Sequence, residues 1–141
     1  MVFVDSAAWI SLVVEVDDHH QPMVGQWREL LKAGAGFVTS SDVYSETITY
    51  LRYKIGYHAA VSFYESMQAA QAKDRLLIEW VTPSVFDEAW KLFRQYDDQK
   101  LSMVDCTSFV ICKKRRIETV VTLDKHFLVA GFDVIPSGRI R

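Results

Sequence analysis

The sequence predicts an α/β protein with a mainly parallel sheet, and three features carry that expectation. Short β-rich runs alternate with helix-length apolar segments along the whole chain. Two of the runs, Met1-Val2-Phe3-Val4-Asp5 and Glu118-Thr119-Val120-Val121-Thr122-Leu123-Asp124, end in aspartate. Just before the second run, residues 101–112 form an apolar stretch of helical length with Asp105 near its head and Lys113-Lys114-Arg115-Arg116 at its close. An acid in the first turn and cations in the last suit the two ends of a helix macrodipole.

The elements follow in order. After the first strand, residues 6–14 read as a short buried helix that Asp5 or Ser6 can cap. Asp17-Asp18-His19-His20 interrupts as a solvated turn, and Pro22 suits the first turn of a second helix over residues 23–31, closed by Gly34 and Gly36. Phe37-Val38-Thr39 is the second strand. Thr39 and Asp42 resemble a capping box that opens a helix to Gly56. On that helix Tyr44, Ile48, Leu51 and Ile55 form a core stripe, whereas Val43, Glu46, Tyr50 and Tyr53 share another side. A lone carboxylate in such a stripe calls for a partner or a cation. A helix over residues 57–72, a strand over 76–81 ended by Pro83, and a helix marked by Val85, Ala89, Leu92, Phe93 and Tyr96 come next. Residues 132–136 supply a last strand.

Length and composition fit one domain over residues 1–141, long enough to bury roughly two-thirds of its unfolded surface. No basic and apolar leader precedes the first strand, and no apolar run approaches the ~20 residues of a membrane span, so a cytoplasmic protein is expected. Cys106 and Cys112 stand six apart and face different sides of one helix, which predicts neither a disulfide nor a metal pair. A net charge of −2 excludes a broad basic surface of the kind that clamps nucleic acid without sequence preference.

Open parallel sheets place their sites beyond the carboxyl ends of the strands. Asp5 and Asp124 occupy that edge, and Glu46 and Asp105 lie in the early turns of helices that begin there. Four converging carboxylates must raise their pKa values or recruit a cation, since two unit charges ~4 Å apart repel by about 4 kcal/mol at an effective dielectric of 20. All-oxygen ligation favours Mg²⁺ or Mn²⁺, ions suited to phosphodiester hydrolysis.

At these residues the chain resembles the PIN-domain ribonucleases, and among them the VapC-type toxins of bacterial toxin–antitoxin pairs. The matching stretches are Val4-Asp5-Ser6-Ala7-Ala8-Trp9, Val43-Tyr44-Ser45-Glu46-Thr47 with Leu51-Arg52, Leu101 through Phe109, Thr122-Leu123-Asp124-Lys125-His126-Phe127, and Ala130-Gly131-Phe132. The resemblance implies a five-stranded parallel sheet and an Mg²⁺- or Mn²⁺-dependent endoribonuclease whose metal-binding acids are Asp5, Glu46, Asp105 and Asp124. It also implies hydrolysis leaving a 5′-phosphate, a homodimer, and a cognate antitoxin that covers or distorts the site. Met103-Val104 departs from the polar residue expected before the third acid, a difference confined to the pocket rim.

Other residues admit plainer roles. Thr122, Ser6 and Thr107 can orient ligands or serve as ordinary caps; Asp98 and His126 read as loop residues, and Tyr50, Tyr53 and Tyr57 as a partner or dimer surface. A receiver-type phosphoacceptor would show an acidic pair after strand one, and a haloacid-dehalogenase-type phosphatase an Asp-x-Asp, where this chain has Ser6 and Ala7. A PIN-domain RNA-processing nuclease outside a toxin–antitoxin system, and a non-catalytic partner-binding module, are the alternatives to the toxin.

Overall fold

The computed structural model describes residues 1–136. Five strands, β1 (Val2–Val4), β2 (Phe37–Ser40), β3 (Leu76–Glu79), β4 (Thr119–Val121) and β5 (Asp133–Ile135), form one sheet in the order β3-β2-β1-β4-β5. Every pairing is parallel. Seven helices among the described residues connect them: α1 (Ser6–Val13), α2 (His20–Lys32), α3 (Ser41–Lys54), α4 (Tyr57–Ala72), α5 (Pro83–Gln95), α6 (Met103–Lys114) and α7 (His126–Val129). Right-handed crossovers send the helices that join β1, β2 and β3 to one face and those that join β3, β4 and β5 to the other. Each layer has its own aromatic cluster. Trp27 stacks on Phe37 at 4.1 Å and meets Trp9, which also meets Phe63; elsewhere Phe109 packs against Phe127 at 5.0 Å and Phe132 at 5.8 Å.

Several local expectations shift. The cap of α3 is Ser40, whose hydroxyl accepts from the Val43 N–H, because the Thr39 hydroxyl is engaged elsewhere. Thr39 instead donates to the Val4 carbonyl at 2.8 Å and accepts from the Trp9 indole at 3.3 Å, tying β2, β1 and α1 together. The buried side of α3 is Val43, Tyr44, Thr47 and Leu51. Ile55 is 50% exposed because it lies past the helix end, and Val43 faces inward from the first turn, where α3 leaves the sheet. Pro83 does more than end β3: it occupies the start of α5, with Thr82 capping. Helix α2 begins at His20, ahead of the expected start, since Asp17 accepts the His19 N–H and the His20 ring bonds to the Ser11 carbonyl, so this histidine pair is half-buried and engaged. The short α7 has too little periodicity to be read from sequence.

Thr39→Val keeps the shape of this junction while removing both hydroxyl bonds, and leaves a buried indole N–H without its partner. We expect a loss of about 1–3 kcal/mol, seen as a lower urea midpoint with an unchanged slope.

Candidate metal site at the β1–β4 switch point

The register of β1 on β4 sets Val4 opposite Val121, so the next residues, Asp5 and Thr122, become neighbours. The Asp5 N–H donates to the Val121 carbonyl at 3.0 Å, and the Thr122 hydroxyl donates to Asp5 Oδ2 at 2.8 Å. The sheet order places this pair where the chain direction of winding reverses, between β1 and β4, the crevice in which open α/β sheets bind ligands. Asp5 stands at the N-cap position of α1, yet its carboxylate makes no capping bond.

Two more acids reach the same crevice from other segments. Ser102 and Asp105 cap α6 reciprocally: the Ser102 hydroxyl accepts the Asp105 N–H, and Asp105 Oδ2 accepts the Ser102 N–H, each at 3.0 Å. The Asp124 N–H donates to the Thr122 hydroxyl at 3.0 Å, so one threonine holds two of the acids. Asp124 Oδ1 accepts the His126 N–H at 2.9 Å, and His126 Nδ1 lies 2.8 Å from the same oxygen. Donor atoms of Asp105, Asp124 and His126 all lie within 4.8 Å of one another. Glu46 stands at the exposed rim, where the hydroxyl of Ser6, the residue after Asp5, donates to its Oε1 at 2.6 Å. Its helix neighbours Tyr50 and Tyr53 point to solvent, so the rim and not an apolar stripe surrounds it.

The electrostatics follow from burial. Asp5 is 5% exposed. Loss of solvation pushes its pKa up to about 7; the Thr122 bond opposes that rise, while the charges of Asp105 and Asp124 add to it. Burial also raises Asp105, against the opposing Ser102 N–H bond. Among the described residues no lysine or arginine pairs with any of the four acids, and the one side-chain nitrogen beside Asp124 is that of the His126 imidazole. Carboxylate oxygens with a neighbouring imidazole, crowded and without a resident cation, fit a hard or borderline divalent ion.

The structure thus brings Asp5, Asp105 and Asp124 into electrostatic contact and links Glu46 to them through Ser6. Thr107 lies outside this set: it donates to Asp42 Oδ2 at 2.9 Å and braces α6 against α3. The Lys113 to Arg116 run closes the far end of α6, beginning about 12 Å from Asp105 along the helix axis, with Lys114 paired to Glu88 and Arg115 to Glu79. Asp98 is exposed in the α5–α6 connection. Burial pushes both thiols up, Cys106 to about 11, which leaves them outside the chemistry. His126 is the residue read too plainly. Its two-residue spacing from Asp124 is that of an Asx turn, a signal visible in the sequence.

Comparison with known proteins agrees with this architecture. The 23S rRNA-specific endonuclease VapC20 of Mycobacterium tuberculosis is 30% identical over 132 residues, 94% of this chain and 95% of the relative. The crystal structure of M. tuberculosis VapC20, described as a Sarcin-Ricin loop cleaving toxin, superposes with a TM-score of 0.80 at 28% identity, covering 94% of this chain and 96% of that one. FitAcB from Neisseria gonorrhoeae shares the fold with a TM-score of 0.66 at 14% identity over 95% of this chain and 96% of that chain. The family profile described as PIN domain matches residues 2–133, and the chain belongs to the PIN-domain family.

Proposed function

We propose that this chain is a divalent-metal-dependent endoribonuclease of the VapC type, acting in the cytoplasm as the toxin of a toxin–antitoxin pair. The observation that carries the reading is the meeting of Asp5, Asp105 and Asp124, from three separate segments, at the β1–β4 switch point. The likeness to VapC20, named as an rRNA endonuclease, supports RNA as the substrate class. Asp5, Glu46, Asp105 and Asp124 are the proposed metal-binding and catalytic acids, with Mg²⁺ or Mn²⁺ as cofactor. When bound, the ion supplies Lewis acidity toward a phosphodiester and acidifies a water. The protein's own part is positional. Thr122 aligns Asp5 and Asp124, Ser102 fixes Asp105, and Ser6 holds Glu46 at the open rim where RNA enters. Tyr50, Tyr53 and Tyr57, exposed by 40%, 82% and 62%, suit a surface for the antitoxin or a second copy of the chain.

Purified protein incubated with RNA and Mn²⁺ is expected to cleave, and Asp105→Asn to lower the rate by about 10²–10⁴-fold with an unchanged circular dichroism spectrum. Intact RNA under both conditions would leave a binding module as the better account.

A second expectation concerns pH. Asp5 keeps its proton up to about 7 in the folded chain, against an ordinary value of 3.8. The folded state therefore binds more protons between those values, and stability falls as pH rises through that window. In EDTA the melting temperature should drop from pH 5 to pH 8, and Asp5→Asn should flatten the slope. Added Mn²⁺ should raise the melting temperature more at pH 8 than at pH 5, and an ion present at 100 times its Kd stabilises the fold by about 2.7 kcal/mol. A flat profile with no metal effect would contradict the electrostatic account.

A further inference from the structure

We propose that His126 is the positioning residue of the Asp124 carboxylate, its Nδ1–H and main-chain N–H together occupying Oδ1 so that Oδ2 is the oxygen presented to a divalent cation. The inference rests on the reading of the acids as a metal site. Asp124 lies in the short connection between β4 and α7, outside regular structure, where a carboxylate is free to rotate unless held. Its backbone is gripped by Thr122, whose hydroxyl accepts the Asp124 N–H at 3.0 Å. Its side chain is gripped by His126 alone among the described residues, through two donors at 2.9 and 2.8 Å.

The hydrogen-bond chemistry assigns the tautomer. An ionised carboxylate only accepts, so the proton of the close contact sits on Nδ1. That nitrogen is engaged with Asp124 and is not itself offered as a ligand. The ring is anchored from behind, since its side chain is only 19% exposed. The next residue, Phe127, is fully buried with its ring edge-on to Phe109 of α6 at 5.0 Å. Helix α6 also carries Asp105 at its head. The clamp thus fixes Asp124 relative to Asp105 through a packed aromatic contact, and the two present donor atoms within 4.8 Å. Carboxylates that bind metal are held by such outer partners, and loss of one weakens metal binding by about 10–100-fold.

The test is Mn²⁺ affinity of the full chain, measured by isothermal titration calorimetry. His126→Ala is expected to raise the Kd by about 10–100-fold. His126→Asn should restore the affinity, because its amide N–H falls where Nδ1–H was; His126→Gln, whose amide reaches the Nε2 position, should not. Thermal melting of each variant separates loss of the clamp from loss of the fold, and the Asn and Gln pair decides the matter should His126→Ala unfold. Unchanged Mn²⁺ affinity in His126→Ala, or equal weakness of Asn and Gln, overturns the proposal. So does a directly bound imidazole nitrogen in pulsed EPR of the wild-type Mn²⁺ complex. Absence of Mn²⁺ binding to the wild type would instead defeat the metal reading itself, and this proposal with it.

Discussion

The bond between Thr122 and Asp5 is the contact on which the site depends. A carboxylate at the carboxyl end of a central strand loses most of its hydration, a cost that polar burial in proteins commonly sets at several kcal/mol unless partners answer it. One hydroxyl and the neighbouring main-chain N–H of Ser6 offset part of that cost, and the nearby acids add to it. The remainder is borne by the packing of the sheet around it, where Phe3, Val4, Val120 and Val121 are fully buried. Apolar burial stabilises a folded chain by roughly 25 cal/mol per Å², so a packed parallel sheet can hold one poorly solvated charge in place. A loose one would let it escape to water.

Positioning is spread over small devices, none of them long-range. The parallel register makes Asp5 and Thr122 neighbours; the Ser102 cap orients Asp105; Ser6 reaches Glu46; and the Thr107–Asp42 bond holds the heads of α3 and α6 together. Each is a short polar contact between residues that lie within a helix or strand or one step beyond its end. This is how acids separated by more than a hundred positions in sequence come to share one crevice without any loop having to close over them.

Much of this was legible in the chain. The strand-then-acid endings at Asp5 and Asp124 and the acid at the head of α6 each reflect a local rule, and parallel topology turns local rules into a shared edge. The faces of α3 were harder. Ser40 and Thr39 are chemically near-equivalent caps, and only the burial of Thr39 against Trp9 decides between them. Likewise Val43 and Ile55 share apolar character with the core, but which of them is buried depends on where α3 leaves the sheet, a tertiary fact. His126 illustrates a different limit. Its spacing from Asp124 is that of a common turn, and the role of its ring depends on how α7 packs against Phe109, which no window of sequence around it contains.

Strand β2 passes into α3 with no intervening residue, Ser40 ending one and Ser41 beginning the other. A single insertion at this seam would turn everything after it by about 100° about the helix axis, swinging Glu46 off the Ser6 hydroxyl. The junction is therefore intolerant of length change, whereas the exposed end of the same helix beyond Leu51, residues 52–54, is free to vary. Divergence in what such a scaffold recognises should accumulate at that outer end, while the seam stays constant in length.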